Sequence, residues 1–288
     1  MKTLDLDRAI EAKNPKLARL MPRFVKRYLN RILHLDELNK LLDDNKGSTG
    51  IEFTRASIDH FGVSYVIEGE ENLSCAERGL YVSNHPLGGL DGIVLLHIIA
   101  LKHGEVKSLI NDFLMWVEPI QDMFIPVNKT GSSREYHLAI TEAYQSDLPL
   151  MVFPAGLCSR KQSFGVFDIE WNKSFVKKAR QFGRPIIPIY VEGENSRFFY
   201  NLAWVRRKLG IKFNIEMLYL SDEMVKQRGK TLKIYTAPPI SPDMLDTSVD
   251  DWEWARRIRQ LVYDMKVQKC VLTFNPERES TLPMSYYG

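Results

Sequence analysis

The 288-residue sequence predicts an α/β protein, and two observations carry that reading. Short runs of β-branched and apolar residues alternate with longer stretches of helical periodicity, the pattern of a sheet flanked by helices. Ahead of them stands a basic segment whose apolar residues recur at three- and four-residue steps, the mark of an amphipathic helix. With 44% hydrophobic residues, a chain of this length can bury one large core, so the expected organisation is one domain with a helical extension.

The elements follow in order. From Lys13 to Arg31 the chain holds seven Lys and Arg and no acid, interleaved with Leu17, Leu20, Phe24, Tyr28 and Ile32. Such a helix fits two surroundings: the headgroup layer of an anionic membrane, or the flank of the domain with its basic side solvated. Pro22 kinks or divides it. A Leu-rich stretch runs to about Leu42, and the Asp, Asn, Gly and Ser of 43–50 read as a linker. The expected organisation is a helical segment over 1–45, a main domain over 46–270 and a loose tail over 271–288. Strands are predicted over 61–67, 79–83, 106–110, 124–127, 150–153, 186–191, 213–218 and 232–235, with a buried helix over 93–101 and a closing helix over 249–267.

Composition removes several classes. Lys and Arg total 39 against 36 acids, a balance that by itself neither calls for nor excludes nucleic acid. The basic residues accompany no recognised nucleic-acid fold motif, so no nucleic-acid partner is expected. Cys75, Cys158 and Cys270 are odd in number and widely spaced, which argues against a disulfide framework or zinc site and for a reducing compartment. No stretch approaches roughly 18 uninterrupted apolar residues, and no secretory leader is legible, so a peripheral rather than spanning protein is expected. Walker, GxSxG and GxGxxG motifs are absent from the sequence.

The stretch Ser83-Asn84-His85-Pro86-Leu87-Gly88-Gly89-Leu90-Asp91-Gly92 follows a predicted strand and precedes a predicted helix. Active sites of α/β sheets sit in such strand-end loops. A His with a nearby Asp suits acyl transfer, because imidazole takes the proton of an attacking hydroxyl while the carboxylate fixes its tautomer. A loop His beside an Asp that caps the next helix is the common alternative.

Four blocks in order bear on the choice. Asn84-His85 with Asp91, Phe124-Ile125-Pro126-Val127-Asn128-Lys129, Phe153-Pro154-Ala155-Gly156 with Arg160, and Ile187-Pro188-Ile189-Tyr190 together resemble the PlsC-like glycerolipid acyltransferases over about residues 60–240. NHPLGGLDG and the run from Val191 to Phe199 resemble more narrowly the hemolysin-labelled branch that includes aminolipid acyltransferases. The resemblance implies a mixed, mostly parallel central sheet flanked by helices, with His85 as general base and Asp91 orienting it. It places Asn84 in support of the loop, and Phe153, Pro154 and Gly156 in a substrate-binding block. Lys129 is expected to help hold the acceptor head group, and Arg160 to pair with phosphate or carboxylate, unless it is an ordinary surface arginine. Pro188 is expected to shape the fourth block beside the acyl chain, or to be a strand-edge proline. The implied partners are a lyso-lipid acceptor, an acyl-CoA or acyl carrier protein donor and an anionic membrane surface on the cytoplasmic side. No metal or further cofactor is expected.

Two departures from the family pattern matter. Five residues separate His85 from Asp91 where the family has four, and on an unbroken helix that spacing sets them about 240° apart. Gly88 and Gly89 permit a looped backbone that absorbs the extra residue. Ala155 stands where the family carries Glu, which weakens the case for a lysophosphatidate acceptor and favours the hydroxyl of a 3-hydroxyacyl chain on an amino acid. Two readings from other classes remain beside this one. Cys158 with a His base would make a thiol enzyme, and the basic segment alone would make a non-catalytic, hemolysin-like membrane binder. His97, inside an apolar helix, reads as a packed core residue.

Overall fold

The computed structural model of the chain describes residues 4–110, 117–126 and 133–283. Helices α1 (Leu6–Lys13), α2 (Pro15–Leu20), α3 (Arg23–Ile32) and α4 (Leu35–Asp44) precede α5 (Gly50–His60) and the first strand, β1 (Ser64–Glu68). Pro22 divides the basic segment, standing at the N-cap of α3. The apolar stripe of α3 also divides: Ile32 and Leu33 turn inward and are buried, whereas Phe24 and Tyr28 face outward. Leu41 and Leu42 of α4 join the same hydrophobic cluster as Phe53 and Ile58 of α5, so the helical segment packs continuously onto the domain across the 43–50 turn.

Next come β2 (Leu80–Ser83), α6 (Leu90–His103), β3 (Lys107–Ile110), β4 (Phe124–Pro126), α7 (Ser133–Gln145) and β5 (Leu150–Val152). A small antiparallel pair, β6 (Arg160–Gln162) and β7 (Gly165–Phe167), leads to α8 (Ser174–Phe182) and β8 (Ile186–Val191). The chain closes with α9 (Arg197–Lys208), α10 (Leu220–Val225), β9 (Thr231–Thr236) and α11 (Asp251–Gln268). Strand order is β1-β9-β8-β2-β5-β3-β4. The strands from β8 to β4 run parallel, and β9 pairs antiparallel with β8 and parallel with β1, which makes the sheet mixed.

Two apolar clusters, one on each face of the sheet, form the core. Leu90, Val94, Leu95 and Ile98 of α6 cover one, while Trp254, Ile258, Leu261 and Val262 of α11 cover the other. The strands β2, β5 and β8 are buried at nearly every position, as strands covered on both faces must be. Among the described residues no helix is long and apolar enough to cross a membrane.

Two expectations need correction. Residues 213–218 form no strand: Ile215–Tyr219 is a 3-10 turn whose Glu216 is wholly buried. The tail is not loose as far as Leu282: Phe274 is buried against Trp254, and Gln260 Oε1 accepts the N–H groups of Thr281 and Leu282 at 2.9 Å. Polar side chains of α11 that look solvent-facing by sequence thus serve as anchors for the tail.

Candidate active site

β8, β2 and β5 are adjacent and parallel, so their carboxyl ends deliver three loops to one edge of the sheet. Asn84 ties two of them together: its Nδ2 donates to the carbonyl of Val191 at 2.9 Å, and its Oδ1 accepts the Val191 N–H at 2.7 Å. Buried and doubly engaged by backbone, Asn84 acts as a clamp between β2 and β8. Phe153, the first residue after β5, stacks on the His85 imidazole with ring centroids 3.9 Å apart and planes 23° from parallel.

His85 Nδ1 lies 3.0 Å from Asp91 Oδ2. Gly88 makes this possible with a φ of +77°, a conformation that reverses the loop before α6 starts at Leu90. Asp91 then sits in the first turn of α6 and points back into the loop. Its Oδ2 accepts the Leu87 N–H at 2.9 Å and its Oδ1 accepts those of Gly89 and Gly92 at 3.1 and 3.0 Å. A fully buried carboxylate is costly without partners, and here backbone donors, the helix N-terminus and the imidazole all serve it.

The charges follow. Burial alone would push the Asp91 carboxyl up, but the adjacent His85 and the backbone donors hold it below the usual range. Burial alone would push His85 down; the Asp91 carboxylate outweighs it and raises the imidazole above its ordinary value. The His85 side chain keeps 17% of its surface exposed while Asp91 keeps none, so the ring alone reaches the opening. With Nδ1 engaged, Nε2 is the nitrogen that can take a proton from outside.

Behind the ring lies Asp168, a residue that sequence reasoning missed. Its Oδ1 accepts the Ser159 hydroxyl at 2.6 Å and the His85 N–H at 3.3 Å, and its Oδ2 accepts the Trp171 indole N–H at 2.9 Å. Burial raises its carboxyl above the ordinary value, against the pull of those donors. Ser159 N–H in turn donates to the His85 carbonyl at 2.7 Å, so Ser159 from the loop after β5 and Asp168 after β7 hold the His85 backbone from two sides. The one sequence signal was an acid inside the apolar run Phe167-Asp168-Ile169, which without a fold has no partner to give it meaning.

The remaining expected site residues are placed as follows. Pro154 accepts the Asn172 N–H at 3.0 Å through its carbonyl, and Gly156, at φ +67°, closes a turn back to Phe153. Both shape the Phe153 loop. Arg160 is neither a surface arginine nor directed at the opening: it is 1% exposed and its Nη2 donates to Glu216 Oε1 at 3.1 Å. Arg206 approaches the other oxygen of Glu216 at 2.8 Å, giving a buried Arg–Glu–Arg group that joins β6 to α9. Pro188 lies inside β8 between β2 and β9, a central rather than an edge position. Lys129 lies outside the described residues. Cys158 is 1% exposed, and burial pushes its thiol up to about 11. Its Sγ accepts from Arg160 at 2.8 Å, a setting opposite to that of an activated nucleophile. His97 is a core residue, sharing a hydrogen bond with the buried Thr54 hydroxyl. Among the described residues no group of three His, Cys, Asp or Glu is arranged to hold a metal.

The family model described as acyltransferase matches residues 8–269. A curated relative from Phocaeicola vulgatus, named lyso-glycine lipid O-acyltransferase, is 42% identical over 265 residues, covering 91% of this chain and 95% of its own. A relative of the same name from Bacteroides thetaiotaomicron is 41% identical over 266 residues, covering 91% and 97%. The crystal structure of the 1-acyl-sn-glycerophosphate (LPA) acyltransferase PlsC from Thermotoga maritima aligns with a TM-score of 0.50 at 15% identity, covering 92% of this chain and 97% of that one. That last likeness is one of fold.

Proposed function

The chain belongs to the acyltransferase family, and from that premise we propose that it moves a fatty acyl group from a thioester carrier to the hydroxyl of a lyso-lipid by His85/Asp91 general-base catalysis. The observation that carries the reading is the 3.0 Å contact between His85 Nδ1 and the buried Asp91 carboxylate, with the ring edge at the opening of a strand-end loop cluster.

In this mechanism the acceptor hydroxyl gives its proton to His85 Nε2 as its oxygen attacks the thioester carbonyl. Asp91 steadies the imidazolium that forms. The tetrahedral intermediate then collapses, the C–S bond breaks, and the imidazolium returns the proton to the departing thiolate. Phe153 keeps one face of the ring dry and in register throughout.

The acceptor we favour is a lyso-aminolipid, a 3-hydroxyacyl chain amide-linked to an amino acid, in keeping with Ala155 and with the names of the two curated relatives. The donor is acyl-CoA or an acyl carrier protein thioester. We place the reaction on the cytoplasmic face of a membrane, where both the lyso-lipid and the basic segment over 13–33 would reside.

The test is purified enzyme with lyso-glycine lipid or lysophosphatidate and either donor, read by lipid mass spectrometry. A diacyl product that depends on His85 and forms with the amino-acid acceptor supports the reading. Equal product from wild type and His85→Ala would overturn the catalytic assignment, and preference for lysophosphatidate would overturn the acceptor.

A further inference from the structure

Between Arg197 and Phe213 the sequence holds Arg197, Arg207, Lys208 and Lys212 and no acid, beside Arg206, which is buried on Glu216. An ordinary amphipathic helix turns its apolar side chains inward and its polar ones to solvent. α9 turns Phe199, Tyr200 and Ala203 inward, yet Phe198, Trp204 and Val205 are 49%, 44% and 43% exposed. Beyond its C-terminus Leu209, Ile211 and Phe213 follow at 68%, 40% and 65%. A lone exposed apolar side chain is unremarkable; a run of large ones on one short segment marks a surface that meets something apolar.

The surface continues onto α3. The Phe198 ring meets Tyr219 edge-on with centroids 4.9 Å apart, and the Tyr219 hydroxyl shares a hydrogen bond with that of Tyr28. One turn earlier on α3 stands Phe24, 74% exposed, and across the Pro22 break Leu20, 79% exposed. Cations border the rings: the Lys208 ammonium lies 3.9 Å from the Trp204 centroid and the Arg31 guanidinium 5.4 Å from that of Tyr28. On its inner side α9 packs Phe199 and Tyr200 against Cys158. Cys158 in turn is so close to the His85 loop that a Cβ on Gly88 would meet its Sγ at 3.1 Å. Phe199, Tyr200 and Cys158 therefore lie between α9 and the His85 loop.

We propose that α9, the loop through Phe213 and the outer side of α2 and α3 form one docking face that seats on an anionic bilayer. Leu209, Ile211 and Phe213 enter the acyl region while Arg207, Lys208 and Lys212 stay at the phosphate level. Charge complementarity selects this occupant: Lys208 and Lys212, long cationic side chains beside exposed apolar ones, match a layer of phosphates above hydrocarbon. The proposal rests on the lyso-lipid reading only for its consequence, which is that docking presents the His85 loop to a substrate already in the membrane. α9 and the loop through Phe213 extend the contact beyond the basic N-terminal helices, and two elements spaced along one face fix an orientation where one does not.

The experiment is co-sedimentation of the full-length protein with vesicles of phosphatidylcholine alone or mixed with phosphatidylglycerol, comparing wild type, Leu209→Glu/Phe213→Glu and Leu138→Glu. Leu138 is 57% exposed on α7 and supplies the same chemical change elsewhere. The double variant is expected to lose tenfold or more of its partitioning into anionic vesicles, with Leu138→Glu unchanged and wild-type binding falling as salt rises. Turnover on a short-chain acceptor below its micelle concentration is expected to be the same in the double variant and wild type. Equal vesicle binding by all three proteins overturns the proposal. So does loss of a concentration-dependent dimer in the double variant with vesicle binding intact, which assigns the face to a second copy. Absence of turnover in wild type on any lyso-lipid would strike the functional reading and leave the vesicle result standing by itself.

Discussion

Asp91 Oδ2 stands 3.0 Å from His85 Nδ1 although the two residues are six apart along a chain that turns into a helix between them. A continuous helix would set their side chains about 240° apart. The contact exists because the helix does not start until Leu90, and the loop before it folds back through the positive φ of Gly88. The carboxylate that orients the imidazole is therefore also the group that gathers the loop, accepting N–H groups from Leu87, Gly89 and Gly92. The geometry of the proposed base and local stability are coupled at one side chain.

His85→Ala is expected to lower kcat/KM by about 10²–10⁴-fold, the usual contribution of a positioned general base. His85 is partly exposed and donates no side-chain bond to the core apart from Asp91, so the far-UV circular dichroism should be retained. Wild-type turnover in this variant would remove His85 from the mechanism.

Asp91→Asn is expected to shift the pH profile. The carboxylate raises His85 above the ordinary imidazole value of about 6.5, and a general base must be neutral, so wild-type kcat/KM rises as pH passes upward through that raised value. Without the Asp91 charge, burial and Arg160 lower His85 against Asp168 alone, which moves the acid limb to lower pH, with a reduced plateau. The linked stability has two signs. The His85 contribution is complete below the unfolded imidazole value and fades as pH rises through the folded one. The Asp91 contribution is complete above the unfolded carboxyl value and fades as pH falls through the lowered one. The pair is worth most between the ordinary carboxyl and imidazole values, and denaturation followed across that window checks the sign.

Gly88→Ala and Gly89→Ala separate strain from composition. A Cβ on Gly88 would lie 2.8 Å from Leu220 Cδ2 and 3.0 Å from Cys158 Cβ, on a backbone at φ +77°, whereas one on Gly89 meets nothing within 4 Å. Gly88→Ala should cost about 1–3 kcal/mol in urea unfolding and most of the activity. Gly89→Ala should leave stability within about 1 kcal/mol of wild type.

Cys158→Ala should keep turnover within a few-fold of wild type, because the thiol is buried and pushed up to about 11. Loss of activity together with loss of covalent labelling by a thioester analogue would revive a thiol mechanism.

Glu216→Gln should destabilise the protein by about 3–5 kcal/mol, the usual consequence of removing one partner from a buried ion pair, since Arg160 and Arg206 would be left without their carboxylate. A unit that joins β6 to α9 also predicts reduced activity through a displaced Cys158 and Gly88. Chemical denaturation and kcat/KM measured on the same preparation check both.

How much of this was legible beforehand differs by residue. The buried strands and the helices α6 and α11 were readable because burial on a sheet imposes apolar runs and helical spacing that survive in sequence. The run over 213–218 defeated the same logic: its apolar residues look like a strand, but Glu216 is drawn inward by two arginines and the chain winds around it as a turn. Arg160 was expected to meet a ligand's anion and meets the protein's own, because nothing local reveals a partner 56 residues away.

The sheet-and-helix class, the His85/Asp91 pair and the glycines that let a five-residue spacing close are legible along the chain, since each depends on neighbouring residues. The Asn84 clamp from β2 to β8, the Asp168 brace on the His85 loop, and the split of the N-terminal apolar stripe between core and surface come into view with the folded chain. Those outcomes depend on which residues the sheet order brings together, and contacts between distant segments leave no periodicity in the sequence to be read.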